Sequence, residues 1–177
     1  MKTLRLPLIL MLGAAAVFGL RAADTPALSK VEVIFSHPEN FTDAAQDQRG
    51  SEIGRDANLA MLQDYIVRRA SSLVPAGDKL TITFTDIDLA GEYEPWRTNA
   101  HDVRIVKDIY TPKMTLSFQL TDGSGKVIKQ GDRHLTNLNF MMDILPLSEQ
   151  NEPLAYDKAL VGNWISDEFH GLGKDKK

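Results

Sequence analysis

The chain has 177 residues, with 20 Lys and Arg against 24 Asp and Glu, a formal charge of -4, and no cysteine. That length suits one domain, and 43% hydrophobic with 25% charged residues excludes a wholly disordered chain. The missing cysteines exclude disulfides, thiolate nucleophiles, zinc ribbons and lipid attachment through an N-terminal Cys.

The first segment reads as an address. Lys2 and Arg5 precede an apolar run from Leu6 to Leu20, and Leu20-Arg-Ala-Ala-Asp24 then turns small and polar. This is the layout of a secretory signal peptide cleaved after Ala22. The apolar run is shorter than the roughly 20 residues a spanning helix needs, and no later stretch is apolar enough to cross a bilayer. Residues 1–22 are therefore read as a signal peptide, 23–30 as a flexible leader, 31–170 as a single α+β domain and 171–177 as a disordered tail. Removing residues 1–22 takes away Lys2, Arg5 and Arg21 and no acid, so 17 basic side chains remain against 24 acidic ones, a net charge of -7. An acidic chain is a poor partner for nucleic acid and for anionic lipid. The expected location is the bacterial periplasm, or outside the cell.

Val31-Glu-Val-Ile-Phe35 reads as a strand ended by His37-Pro38, and the polar stretch Phe41 to Gly50 as a loop. Ser51 to Leu73 is the clearest helix. Ser51 caps it, Leu59, Leu62, Ile66, Ala70 and Leu73 form one apolar stripe, and Pro75-Ala-Gly77 stops it. Leu80-Thr-Ile-Thr-Phe-Thr85 alternates strictly, but Asp86 and Asp88 would then continue the apolar face. Carboxylates pointing into a core are costly, so a bulge near Thr85-Asp86, or the end of the strand, is expected there.

His101 to Ile109 reads as a strand interrupted by Lys107. Lys113 to Leu120 alternates cleanly, Thr121 to Gly125 is a hairpin loop, and Lys126 to Thr136 returns antiparallel, weakened by Gly131. Met141 and Met142 read as core filling at a strand end, with an exposed, adaptable patch for a partner, together with Phe140, as the alternative. Asn151 or Glu152 is expected to cap a second helix with Pro153 in its first turn and Leu160, Val161, Trp164, Ile165 and Phe169 buried. The order predicts a two-layer α+β sandwich: a mostly antiparallel sheet of four to five strands, with both helices on one face and one parallel pair at the first crossover.

Chemistry concentrates in Asp86-Ile-Asp-Leu-Ala-Gly-Glu-Tyr-Glu-Pro-Trp-Arg97. The candidate binding residues are Asp86, Asp88, Glu92, Glu94, Trp96, Arg97 and the nearby Arg104. Three readings of the acids stand open. They cap backbone N–H groups and pair with Arg97 or Arg104, or gather around a divalent cation, or serve as a hydrolase's carboxylate pair. An EF-hand fails, because Ala90 and Arg97 fall where ligating residues belong. His37, His101, His134 and His170 are too dispersed for a local metal pair. Neither a nucleophile elbow nor a phosphate-binding glycine motif occurs. No catalytic residue and no cofactor are assigned. The expected activity is non-enzymatic binding of an envelope protein or cell-wall polymer, with a cation-binding domain or a carboxylate hydrolase as alternatives.

Several segments together resemble the domain of unknown function 3016 family of exported bacterial proteins. They are Val31 to Phe35 with Phe41-Thr-Asp43, Arg55-Asp-Ala-Asn-Leu59, Asp86 to Gly91, Glu94-Pro-Trp-Arg97, Asp102-Val-Arg-Ile105, Asp108-Ile109 and Pro112. The resemblance covers roughly Val31 to Phe169. It implies export and a single domain, and transfers no activity.

Overall fold

A computed structural model of the chain describes residues 30–45, 51–96 and 103–172. The expected signal segment, residues 23–29 of the leader and residues 173–177 of the tail lie outside the described residues. The elements are β1 (Val31–Phe35), α1 (Glu52–Ser71), β2 (Lys79–Asp88), β3 (Glu92–Tyr93), β4 (Arg104–Ile105), β5 (Lys113–Thr121), β6 (Val127–Thr136) and α2 (Ala155–Phe169). Four strands form one sheet in the order β1-β2-β5-β6, while β3 and β4 make a separate two-stranded ribbon. β1 runs parallel to β2 and the other pairs are antiparallel. This is the expected α+β architecture.

Alternation builds the core. Leu80, Ile82 and Phe84 of β2 lie opposite Leu120, Phe118 and Leu116 of β5, and all six are buried. Leu59, Leu62, Ile66 and Ala70 of α1, with Leu160, Val161, Trp164, Ile165 and Phe169 of α2, close over the same face. Ser51 caps α1 as expected, its hydroxyl oxygen accepting from the Gly54 N–H at 3.2 Å.

Two expected elements differ. Of the strand expected over His101 to Ile109, residues 101 and 102 lie outside the described residues, and residues 103–109 form a strand at Arg104–Ile105 alone, which pairs with β3 and not with the main sheet. The second helix starts at Ala155, and the residue before it is Leu154, in the left-handed conformation at φ 60°. Asn151 and Glu152 fall in the turn ahead of it. A non-glycine residue in that region is unusual and costs roughly 1–2 kcal/mol. The Leu154 side chain is packed against the core, which holds the turn in place.

The core side of edge strand β6 carries charge. Lys129, Gly131 and Arg133 lie opposite the core residues Leu120, Phe118 and Leu116. The Arg133 side chain lies over Gly131, where an added Cβ would come within 2.8 Å of Nη1. The guanidinium lies 5.1 Å from the Phe118 ring centre and donates to Glu168 through Nε at 2.8 Å and Nη2 at 2.9 Å. Lys129 Nζ is 2.7 Å from Glu168 Oε1, and Trp164 Nε1 donates to Glu168 Oε2 at 3.2 Å. Glu168 thus fastens the end of α2 to the sheet edge. Burial pushes its carboxyl pKa up, but Arg133 and Lys129 outweigh burial and hold it at about 2.

A depressed carboxyl pKa stabilises the fold above the unfolded value of 4.5, and the contribution is lost as pH falls toward about 2. Lys129 and Arg133 are each more than one-third exposed, so solvent screening reduces the effect. Glu168→Gln is expected to cost about 1–2 kcal/mol in urea denaturation at pH 7. The gap from wild type should narrow between pH 4.5 and pH 2.

Candidate functional site

The site begins with one extra residue in β2. Phe84 pairs with Leu116 and Asp86 with the adjacent Thr115, leaving Thr85 as a bulge. The bulge resets the alternation, so Ile87 and Leu89 are buried while Asp86 and Asp88 stay on the partly exposed side. The strand continues to Asp88 without placing a carboxylate in the core.

Each carboxylate then finds an intramolecular partner. Asp86 accepts from the Thr42 backbone N–H at 2.8 Å and from its hydroxyl at 3.0 Å. Asp88 pairs with Lys113 at 2.8 Å across the β2–β5 ladder. Glu92 accepts from the N–H of Tyr93 at 2.9 Å. Glu94 is buried, in an ion pair with Lys107, and accepts from the Tyr110 hydroxyl at 3.0 Å.

Arg104 takes an acid outside the cluster. Its Nη1 and Nη2 each reach one oxygen of Asp43 at 2.8 Å, a two-pronged pair. The same two nitrogens donate to the carbonyls of Gly91 at 2.9 Å and Ala45 at 3.0 Å. Burial works against the Arg104 charge, and Asp43 more than restores it. Asp43 is also backbone-bonded to β2: its N–H donates to Ile87 and its carbonyl accepts from Leu89. Part of the expected Phe41 to Gly50 loop is therefore pinned as a one-residue parallel bridge, Asp43 to Asp88. Gly91 has φ +87°, and a Cβ there would lie 3.0 Å from the Ile105 carbonyl oxygen, so this turn requires glycine.

A cleft of about 270 Å³ opens between the ribbon and the start of α2. Arg104 and Val106 line one side, and Gln150, Asn151, Tyr156 and Asp157 the other. Of the expected binding residues that are described, Arg104 alone is among its lining residues. Asp157 is buried and accepts from the Ala90 N–H at 2.9 Å, tying α2 to the end of β2. Burial drives its carboxyl pKa up to about 6, with the Ala90 N–H and the Arg104 charge opposing the rise.

The two chain segments that supply most of the cleft's lining also expose large apolar side chains, of which Val106 lines the cleft itself. Trp96 is 70% exposed, and Val103, Val106 and Ile109 are exposed on the ribbon side. In the segment leading into α2, Leu138, Met141, Met142, Ile144 and Leu147 are exposed, and this segment is fixed by Phe140 packed edge-on to Tyr156 and by Gln150 donating to the Leu145 carbonyl. The core-filling expectation for Met141 and Met142 is thus corrected. The adjacent Phe140 fills the core, and a 3-10 turn over Phe140–Met142 points the methionines outward. Arg97 lies outside the described residues. Among the described residues, no group of three or more His, Cys, Asp or Glu side chains is placed to hold a metal ion.

The sequence profile of the family described as "Protein of unknown function (DUF3016)" matches residues 29–167. The chain belongs to the DUF3016 family. No curated protein and no solved structure matches it.

In this DUF3016 protein two site residues lay beyond sequence reasoning, Asp43 and Asp157. The only signal for Asp43 was its place in the Phe41-Thr-Asp43 segment of the family resemblance. Asp157 occupies the first turn of its helix, where an acid is ordinary, and nothing local marks it as buried. Among the described residues no helix is long and apolar enough to cross a membrane.

The raised pKa of Asp157 in the DUF3016 fold has a defined consequence. The neutral acid favours folding fully below the unfolded value of 3.8, and that contribution is lost as pH rises through about 6. Asp157→Asn keeps an oxygen for the Ala90 N–H and removes the titration. The melting temperature of the variant should therefore gain on wild type as pH rises from 4 to 7, by the equivalent of roughly 3 kcal/mol. Parallel pH profiles would contradict this assignment.

Proposed function

We propose that this protein is an exported, non-catalytic binding module of the bacterial envelope, and that its partner is another protein. The observation that carries the reading is a cleft of mixed polarity whose contributing chain segments, residues 103–109 and 138–157, expose several large apolar side chains. Exposed apolar residues scattered singly need no explanation, whereas a concentration around a concavity marks an interaction surface. Trp96 and Met142 have the character of interface anchors: one is large and amphipathic, the other adaptable.

The acids support the same reading from the opposite direction. A catalytic pair needs two carboxylates aimed at one reacting atom. Here Asp86, Asp88, Glu92 and Glu94 each hold a different part of the chain. Their role in the proposal is to fix the ribbon that presents Trp96, with Arg104 anchoring it to Asp43. Export rests on the charged, apolar and small-residue order of residues 1–22. A protein partner is preferred over a cell-wall polymer because the exposed apolar side chains of the cleft-forming segments are mostly aliphatic or thioether.

Site-specific photo-crosslinking in intact cells tests this. A crosslinker at Trp96 and at Met142 should give the same discrete protein adduct. The equally exposed Ile53, at the start of α1, should give none. Identical labelling at all three positions, or none at Trp96 and Met142, would remove the proposal.

A further inference from the structure

The two edges of the sheet are treated differently. β6 carries the features that discourage strand addition: a glycine, a register irregularity where it leaves β5, and Lys129 and Arg133 on its core side. β1 has none of them. Its sequence is Val-Glu-Val-Ile-Phe, without Lys, Pro or Gly.

Its outer backbone can be assigned. Leu80 N–H donates to the Lys30 carbonyl at 2.8 Å, and Ser36 N–H donates to the Phe84 carbonyl at 2.9 Å. In a parallel ladder alternate residues face the same neighbour, so residues 30, 32, 34 and 36 turn toward β2. Val33 and Phe35 therefore direct their N–H and C=O groups outward. Between β1 and α1 lies a cleft of about 700 Å³ whose lining includes Val33, Asp64, Val67 and Arg68 together with the Glu32–Lys79 ion pair.

We propose that β1 pairs with β1 of a second copy of this chain, antiparallel about a two-fold axis at Ile34, joining two sheets into one. In that register Val33 faces Phe35 of the other copy twice, and the four resulting hydrogen bonds satisfy all the outward groups of these residues. Ile34 is 40% exposed on the open face of the sheet, where its neighbour across β2 is Thr83. About the axis the two Ile34 side chains meet and cover each other. Glu32 falls opposite Ser36, so no like charges confront each other in the strand pair.

The cleft favours a second copy over an unrelated strand. A two-fold interface brings each patch against itself and needs a self-complementary patch. Asp64 and Arg68 supply opposite charges one helical turn apart, and neither forms an ion pair among the described residues. Reversing the helix direction across the axis sets Asp64 of one copy toward Arg68 of the other. This surface is formed by β1 and α1, apart from the cleft beside α2, and leaves that cleft open to its own partner.

Sedimentation equilibrium of the full chain, in the form cells accumulate, is the test. The expected result is a dimer at roughly 100 µM that dissociates on dilution. Ile34→Lys sets like charges together and should weaken the dimer at least about tenfold. Asp64→Lys should weaken it, and adding Arg68→Glu should restore it. Amide exchange on wild type gives a reading free of folding defects: the Val33 and Phe35 amides should exchange more slowly in the dimer than in the monomer. A monomer across that range overturns the proposal. So does a dimer in which these two amides exchange as in the monomer, because its interface then lies elsewhere.

Discussion

The bulge at Thr85 is the constraint from which the functional end of this molecule follows. Without it the period of two along β2 would carry Asp86 and Asp88 into the core and expel Ile87 and Leu89. With it, both apolar residues are buried and both acids face outward. Everything at this end then has a fixed place. Asp86 holds Thr42, the backbone around Ile87 and Leu89 holds Asp43, and Asp43 presents its carboxylate to Arg104. Arg104 fastens the ribbon, and the Ala90 N–H fastens α2 through Asp157.

These interactions differ in kind. The Asp43–Arg104 pair is two-pronged and largely shielded, and each Arg104 terminal nitrogen also meets a carbonyl oxygen, so removing either partner strands polar groups. The Asp88–Lys113 pair is open to water on the lysine side and weaker for it. Glu168 anchors the opposite edge of the sheet with two cations and an indole N–H. The fold thus closes its apolar core with ordered charge at both ends, and leaves large apolar side chains exposed on the segments that form the cleft beside α2, with others, among them Ile34, Ile53 and Ile128, elsewhere.

Periodicity made most of the fold legible. The α1 stripe, the clean alternation of β5 and the turn-rich residues 121–125 each specify one local structure. The break in alternation at Asp86 was informative because carboxylates cannot follow an apolar face inward. Legibility failed where tertiary context decides. Residues 101–109 have strand-like composition, but among the described residues only Arg104 and Ile105 join a ladder, and their partner is the short β3. The start of α2 shifted because Leu154 adopts a left-handed conformation that composition does not announce. Met141 and Met142 follow Phe140, and only the fold determines which of the three turns inward. The acidic run was visible at once, but its partners were not. Asp43 and Arg104 are 61 positions apart, and Ala90 and Asp157 are 67 apart, so no local pattern connects them.

Removal of Thr85 tests this account most directly, because it takes out the extra residue while leaving every buried side chain in the sequence. Thr85 is exposed, so Thr85→Ala serves as the matched control. Urea denaturation followed by circular dichroism should show Thr85→Ala close to wild type and the deletion lacking a cooperative transition, because its register forces two carboxylates inward. A deletion variant that unfolds cooperatively near the wild-type midpoint would show that the bulge does not set the placement of Asp86 and Asp88.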